Sequence, residues 1–279
     1  MANDVAGGFA GGAEASIRTC VVVCYWTARS QAPLLALLRQ LFAVPAGAPF
    51  EVLVVCNGGD VQPLRLPADL VARGVVVLPR ENRGWNLGAW EHGWRAKPEC
   101  RRFLFLQAEC RILGKDWLRR YQQRLDADSG VGLVGEVMMW AGLTWEQAEA
   151  NTRRDLGDEV VRNGGAESSF ERQRRGLQAA GIEPGTLCEH LVCLVLYADR
   201  QTLQAAGGFR YFGDTYEEAI RSEIGMSRAV ASMGLRLVTL GERPFAAIGH
   251  PQWTAAGRLR ARVVRVLRGL KGLLLGRRG

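Results

Sequence analysis

The stretch GVVVLPRENRGWNLGAWEHGWR (74–95) decides the fold class of this chain. Its first six residues form an apolar run of strand length, and NLGAWEHGWR (86–95) reads as a helix. Between them, Gly84 permits a tight turn from strand to helix. The stretch therefore predicts one strand–turn–helix unit of an α/β protein.

The same alternation extends on both sides of this unit. Helical patterns opened by Pro33, at 86–95 and at 115–125 separate the early apolar runs. The runs of strand length are CVVVCYW (20–26), FEVLVVCN (50–57), GVVVLP (74–79), RFLFLQAE (102–109), VGLVGEV (131–137), HLVCLVLYA (190–198) and LRLVTL (235–240). Such alternation predicts a mostly parallel central sheet flanked by helices. Since ligands bind these sheets beyond the carboxyl ends of the strands, we expect the chemistry there.

The composition is that of a soluble globular chain. Its 279 residues, 48% hydrophobic and 23% charged, suffice for one large α/β domain. The first 18 residues lack the basic start and apolar core of a secretory signal and predict a flexible lead. The seven cysteines, an odd number lying mostly in apolar runs, predict buried reduced thiols and a cytoplasmic location. Their spacing shows no paired Cys-x-x-Cys motif of a zinc site.

The formal net charge of +8 is concentrated at one end of the sequence. Residues 258–279 hold eight Lys or Arg and no acid, which leaves 28 basic and 28 acidic residues elsewhere. A nucleic-acid-binding domain would carry its basic residues on the folded body. The charge distribution therefore argues against a nucleic-acid partner.

Residues 20–120 resemble the family-two-like glycosyltransferases of bacterial polysaccharide and rhamnan synthesis in the order and spacing of their motifs. The match consists of Tyr25 in the first strand, VVCNGGD (54–60) at the end of the second and ENRGWNLGA (81–89) after the third. A looser match continues to about residue 240 through GGF (207–209). The resemblance implies a single nucleotide-diphospho-sugar transferase domain of the A-type glycosyltransferase fold over residues 19–250.

The resemblance also implies a nucleoside-diphosphate sugar as donor. The base and ribose would contact Tyr25, Cys56, Asn57 and Asp60. The diphosphate side would include Arg80, Asn82, Gly84, Trp85 and Gln107. Independently of the family, glycine-rich backbone at a helix start suits a phosphate, and Arg80 and Arg83 add positive charge beside it.

The metal site is the point at which this sequence departs from the family. Gln107 and Glu109 fall on the two acidic positions that normally hold Mg²⁺ or Mn²⁺ against the diphosphate, so one carboxylate is kept. One carboxylate with substrate phosphates can still hold such an ion. His250 stands where some A-type enzymes place a metal or diphosphate contact. Alternatively, the diphosphate charge would be carried without a metal by Arg80, Arg83 or Arg111.

A carboxylate on the helix before Gly234 would act as the catalytic base. An inverting transfer needs a group that takes the proton of the acceptor hydroxyl. By spacing from Gly234, Glu223 takes this place in the family pattern, and Glu218 and Glu217 are competitors.

Residues 137–187 are polar and charged, with few strand signals. They are either a helical surface insertion or an acceptor-side subdomain. The working hypothesis is a hexosyl- or deoxyhexosyltransferase that modifies a glycan or lipid-linked acceptor in bacterial surface polysaccharide synthesis. One alternative is a non-catalytic binding module, which is favoured by Gln107 at a position where the family has a metal-binding carboxylate. The other is a sugar nucleotidyltransferase, which would need a Gly-rich run with a Lys directly after the first strand, and residues 25–30 lack it.

Residues 251–279 predict a basic amphipathic tail. A helix over 259–274, with 100° of rotation per residue, would be amphipathic. Its apolar face would hold Leu259, Val263, Val266, Leu267, Leu270, Leu273 and Leu274. The remaining faces would hold the basic residues Arg260, Arg262, Arg265, Arg268 and Lys271. Such helices lie on anionic membrane surfaces. The alternative is a helix docked on the body of the protein; the lack of acids favours the inner face of the cell membrane.

Removing residues 258–279 tests this interpretation. The full chain should sediment with vesicles that contain anionic lipid and be released as salt rises, because roughly 1 kcal/mol per basic residue is electrostatic and is screened within about 10 Å at 0.1 M salt. The truncated chain should stay folded and remain in the supernatant. A melting curve that shows unfolding after truncation would instead mean that the tail packs on the body.

Overall fold

The computed structural model describes residues 18–251. The predicted lead, apart from Arg18, and the predicted basic helix of the tail lie outside the described residues. None of the helices within 18–251 has the length and apolarity needed to cross a bilayer.

Eleven strands and nine helices form this part of the chain. The strands are β1 (Thr19–Trp26), β2 (Glu51–Asn57), β3 (Val76–Arg80), β4 (Arg102–Gln107), β5 (Arg111–Ile112), β6 (Val131–Gly135), β7 (Met138–Met139), β8 (His190–Leu191), β9 (Val195–Asp199), β10 (Arg236–Thr239) and β11 (Ile248–Gly249). The helices are α1 (Ala32–Ala43), α2 (Ala68–Val71), α3 (Trp85–Arg95), α4 (Trp117–Asp126), α5 (Trp145–Leu156), α6 (Asp158–Arg162), α7 (Ser169–Ala179), α8 (Arg200–Ala205) and α9 (Tyr216–Ala231).

Seven strands form the central sheet in the order β10-β6-β9-β4-β1-β2-β3. Strands β1 to β4 pair in parallel, and so do β6 and β10, whereas β9 runs antiparallel to β4 and β6. The predicted α/β architecture with a mostly parallel sheet is confirmed. The parallel strands bring the chain segments after β1, β2, β3 and β4 to one edge of the sheet.

The sheet is covered on both faces, which explains the continuous apolar runs of its inner strands. In β1, Val21 and Val23 pack in one core cluster, and Cys20 and Val22 pack in the other. All seven cysteines lie in the described region, are buried and form no disulfide. Burial raises the pKa of the Cys24 thiol to about 12, so this thiol stays protonated at neutral pH.

The apolar run 190–198 is not one strand, and this prediction is wrong. Residues 190–191 form β8, which pairs with β7, while 195–199 form β9 in the central sheet. Between them, the backbone of Cys193 leaves the sheet ladder, and its carbonyl accepts hydrogen bonds from the side-chain amides of Asn86 and Gln107. Polar side chains from other segments therefore replace the strand partners at this point.

Helices α5, α6 and α7 lie within residues 137–187 and pack on α9. A separate apolar cluster joins them, including Trp145, Phe170 and Ile224. Helices α5 and α7 both start with a capping box, in which Thr144 and Gln147, and Ser168 and Glu171, satisfy each other's backbone amides. These local signals fix helix starts within a stretch that has few other patterns.

Candidate functional site

A cleft of about 440 Å³ opens beyond the carboxyl ends of β1, β2 and β4. Its walls come from the segments that follow these strands, from the start of α3 and from the loop before α9. The lining includes Tyr25, Trp26, Arg29, Ser30, Asn57, Asn82, Trp85, Asn86, Gln107, Glu109 and Asp214. The position agrees with the general rule for parallel α/β sheets.

Six of the residues predicted from the sequence line this cleft: Tyr25, Asn57, Asn82, Trp85, Gln107 and Glu109. Two others do not. The side chain of Cys56 is buried in the core beneath, where desolvation raises its thiol pKa to about 11. Asp60 is exposed on the loop after β2 and is not among the lining residues.

Trp26, Arg29, Asn86 and Asp214 are lining residues that the sequence analysis missed. Trp26 and Arg29 had a usable signal, because Trp26 ends the first apolar run and Arg29 follows it, where ligands are expected. Trp26 is 40% exposed, and the Arg29 guanidinium lies 5.5 Å from its ring centroid. Asp214 had no such signal, since it reaches the cleft from about 130 residues away in the chain.

The turn into α3 has an unusual backbone. Gly84 has φ 70° and Trp85 has φ 53°, a left-handed conformation that a bulky side chain rarely adopts. Three hydrogen bonds hold it: Asn57 Nδ2 donates to the Trp85 carbonyl (2.9 Å), Gly84 N–H donates to Asp214 Oδ1 (2.6 Å), and the Trp85 indole N–H donates to the Asp214 carbonyl (3.1 Å). Such strain costs about 1–3 kcal/mol and persists where the surroundings over-determine it.

This turn presents the Trp85 ring, 45% exposed, to the cleft. Glycine is required at position 84 both by its φ and by space, because a Cβ there would lie 2.6 Å from the Tyr211 ring. The Gly84 amide is already bonded to the Asp214 carboxylate. Gly84 therefore serves the turn and the approach of the loop before α9.

Arg29 is the one cation among the residues that line the cleft. Arg80 instead donates to Asn57 Oδ1 at 3.2 Å and so helps to orient the amide that holds the turn. Arg83 pairs with Glu81 at 3.8 Å, where both side chains are exposed. Arg111 lies exposed in β5.

The backbone of Cys193 links two residues that line the cleft to Glu223. Its carbonyl accepts from Asn86 Nδ2 (2.6 Å) and Gln107 Nε2 (2.8 Å), two lining residues. Its N–H donates to Glu223 Oε2 (2.6 Å), and His190 Nε2 lies 3.3 Å from Glu223 Oε1. The Glu223 side chain keeps 21% exposure. A carboxylate with fixed orientation is therefore linked to the lining residues Asn86 and Gln107 through the backbone of one residue, Cys193.

The two competing glutamates have other partners. Glu218 completes the capping box of α9: its Oε2 accepts from the Thr215 N–H (3.0 Å) and hydroxyl (2.7 Å). Hydrogen bonding by the Thr215 hydroxyl lowers the pKa of Glu218. Glu217 pairs with Arg172 at 3.0 Å and Arg221 at 3.3 Å.

The two predicted metal ligands, Glu109 and His250, lie on chain segments that are neighbours in the fold. Glu109 follows β4 and lines the cleft, and His250 follows β11, whose Gly249 pairs with Arg111 of β5. The carboxylate of Glu136 holds β11 in place by accepting from the N–H groups of residues 246–248. Burial lowers the pKa of His250 to about 4, so the imidazole is neutral at pH 7, the form that coordinates metals.

Another set of side chains within residues 18–251 has metal-ligand spacing, at the opposite end of the strands. It consists of Cys20, Glu51 and Cys100, whose ligand atoms lie within 4.8 Å of one another. Hydrogen bonding between the two thiols and burial raise the pKa of Cys20. Protonated thiols are poor metal ligands, so this group reads as core packing.

No family model matches the sequence, and no curated protein matches it either. Solved structures do match. A mannosyltransferase from Pyrobaculum calidifontis in complex with GDP-Man and Mn²⁺ aligns with a TM-score of 0.46 at 17% identity, over 80% of this chain and 54% of that one. GalNAc-T7 with UDP, GalNAc and Mn²⁺ aligns with a TM-score of 0.52 at 12% identity, over 85% of this chain and 44% of that one.

This chain thus spans about half the length of the two solved proteins. At such low identity the likeness to GalNAc-T7 concerns the fold alone. Together with the seven-stranded, mostly parallel sheet, it shows that residues 18–251 have the A-type glycosyltransferase fold predicted from the sequence motifs.

Proposed function

We propose that this protein is a glycosyltransferase that moves a sugar from a nucleoside-diphosphate donor to a glycan or lipid-linked acceptor with inversion. The observation that carries the proposal is the pairing of an aromatic cleft, with Trp26, Trp85 and Glu109 in its walls, with an oriented carboxylate at Glu223. The motif order of the rhamnan-type enzymes supports a place in bacterial surface polysaccharide synthesis. The basic tail supports a peripheral position on the inner face of the membrane.

The donor would bind with its base against the aromatic wall. Trp26, 40% exposed at the end of β1, offers an aromatic face on which a nucleobase can stack, whereas Tyr25 and Asn57 are buried beside it. Arg29 is the cation of the cleft and suits the diphosphate, since a guanidinium binds phosphate oxygens in pairs. Asn82 and Asn86 line the opposite wall beside Trp85.

The residues present fit a divalent ion only together with the donor. Glu109 in the lining would supply one carboxylate, and His250, which is buried and outside the lining, would supply a neutral imidazole. Diphosphate oxygens would complete the oxygen-rich set that Mg²⁺ or Mn²⁺ prefers. When bound, the ion would offset the negative charge on the leaving diphosphate. Both neighbouring structures contain Mn²⁺.

Glu223 would act as the base. The Cys193 N–H fixes its Oε2, which leaves Oε1, beside His190, to take the proton of the acceptor hydroxyl. The hydroxyl oxygen then attacks the anomeric carbon, and the bond to the diphosphate breaks on the other side. The commitment of Glu218 to its capping box favours Glu223 over that competitor.

A non-catalytic binding module is the second candidate. One observation favours it: the Gln107 amide donates to the Cys193 carbonyl, so a structural bond stands where a second metal carboxylate is expected. Hydrolysis or transfer of a nucleotide sugar by the purified protein separates the enzyme from the module.

Calorimetry with UDP, GDP, TDP and CDP tests the donor site. We expect one of them to bind, and Trp26→Ala to weaken its binding roughly 5- to 150-fold, because base–aromatic stacking contributes about 1–3 kcal/mol. Val71→Ala, at a position 57% exposed on α2, is the matched control and should bind like the wild type. Absence of binding by all four at millimolar concentration would remove the proposal.

Metal removal tests Glu109. With EDTA, nucleotide affinity and activity should fall, and Mn²⁺ should restore both. Glu109→Gln should abolish the response to Mn²⁺, whereas Asp69→Asn, which removes an exposed carboxylate on α2, should keep it. If EDTA changes nothing in the wild type, Arg29 balances the diphosphate without a metal.

The base is tested by Glu223→Gln, which keeps the acceptor for the Cys193 N–H but removes the carboxylate. We expect kcat to fall about 10²- to 10⁴-fold, with nucleotide affinity nearly unchanged. Glu218→Gln should keep kcat and leave the melting temperature nearly unchanged, because Gln can complete the capping box as Gln147 does in α5. The opposite pattern of turnover in the two variants would assign the base to Glu218.

A further inference from the structure

A second cavity, of about 570 Å³, lies between α5, α6, α7 and α9. It is larger than the candidate donor cleft and falls within the range of about 300–1,000 Å³ typical of ligand pockets. Its apolar lining is mostly aromatic: Trp140, Trp145, Phe170, Tyr216, Ile220 and Ile224. Tyr216 is 69% exposed, so one of the lining residues lies at the protein surface, where the cavity opens to solvent.

The polar lining consists of neutral and acidic groups. Glu159, Asn163, Gln173 and Glu217 lie in the walls, and no Lys or Arg is among the lining residues. Gln173 is 5% exposed, and its Oε1 has no hydrogen-bond partner among the described residues, while its Nε2 donates to the Glu217 carbonyl at 3.0 Å. The cavity therefore offers aromatic faces together with oxygen acceptors.

This chemistry selects among ligands. A phosphate or another anion would meet the carboxylates of Glu159 and Glu217, because Arg172 and Arg221, which pair with Glu217, are not among the lining residues. A hydrocarbon chain would bury the polar walls without hydrogen bonds, which costs free energy for each group. A neutral sugar suits both kinds of wall, because its C–H face packs on an aromatic face of partial negative charge and its hydroxyls donate to carboxylate and amide oxygens.

The cavity adjoins the candidate base through two contacts. Ile220 and Ile224 line it from α9, the helix that carries Glu223 between them. The Trp140 ring lies 5.3 Å from the His190 ring, and His190 in turn lies 3.3 Å from Glu223. A molecule held in the cavity thus borders the helix that carries the carboxylate and the Trp140 ring that packs on His190.

We infer that this cavity is the acceptor subsite and binds a short, neutral segment of a glycan. The inference rests on the proposed transfer reaction and names its acceptor class: a polyhydroxylated, uncharged sugar segment, held by Tyr216 at the entrance, with its accepting hydroxyl on the side of α9, the helix that carries Glu223. Residues 137–187 would then form part of the acceptor-binding site.

Saturation-transfer NMR on the full chain tests the inference. The probes are methyl and octyl glycosides of glucose, galactose, mannose, rhamnose and N-acetylglucosamine. We expect transfer to the sugar-ring protons of at least one pair. Tyr216→Ala, which alters a mostly exposed side chain, should weaken that binding about fivefold or more, and Leu156→Ala, 54% exposed on α5 and outside the lining, should leave it unchanged.

Three results would overturn the inference: no transfer to any probe, transfer confined to the octyl chain, or binding that Tyr216→Ala leaves intact. Gln173→Met adds a check inside the cavity and should also weaken sugar binding. Nucleotide calorimetry on the same proteins separates the two proposals, because Tyr216→Ala should keep nucleotide affinity. Nucleotide binding without sugar binding overturns the acceptor subsite alone; sugar binding without nucleotide binding overturns the transfer reaction.

Discussion

The strained turn at Gly84 and Trp85 is the constraint on which the site depends. Two residues in left-handed conformation are held from one side by Asn57 at the end of β2 and from the other by Asp214 in the loop before α9. This arrangement fixes the start of α3, exposes the Trp85 ring and pins the loop that leads into α9. The wall of the donor cleft and the helix that carries Glu223 are therefore positioned by the same contacts.

The backbone of Cys193 likewise holds together residues from distant parts of the chain. Asn86 and Gln107 donate to the Cys193 carbonyl, and Glu223 accepts from the Cys193 N–H. The break between β8 and β9 therefore fixes the Glu223 carboxylate relative to two residues that line the cleft. Gln107 thereby gains a structural use at a position where a metal carboxylate is expected. In the proposed site, Glu109 and His250 would hold the divalent ion together with the donor, and Arg29 is the one cation in the lining that could pair with the diphosphate.

Helix α9 borders the aromatic cavity, and the loop that precedes it borders the candidate donor cleft. The cleft lies at the carboxyl ends of the strands, and the cavity lies between α9 and the helices of residues 137–187. Glu223 lines neither of them; it is held on α9 by the Cys193 N–H and lies beside His190. In the proposed reaction, the acceptor hydroxyl would give its proton to Glu223 and attack the anomeric carbon from the side opposite the diphosphate, as inversion requires.

The sequence by itself determined the α/β class, six of the seven strands of the central sheet and six of the residues that line the cleft. Each follows from a local signal: an apolar run of strand length, a glycine turn, or a residue at the end of a strand. It could not divide the run 190–198, since only the side chains of Asn86, Gln107 and Glu223, distant in the chain, stabilise that break. It could not find Asp214 or the aromatic cavity either, and it left three glutamates open as base. Those features arise where segments far apart in sequence meet, so their partners exist only in the folded chain.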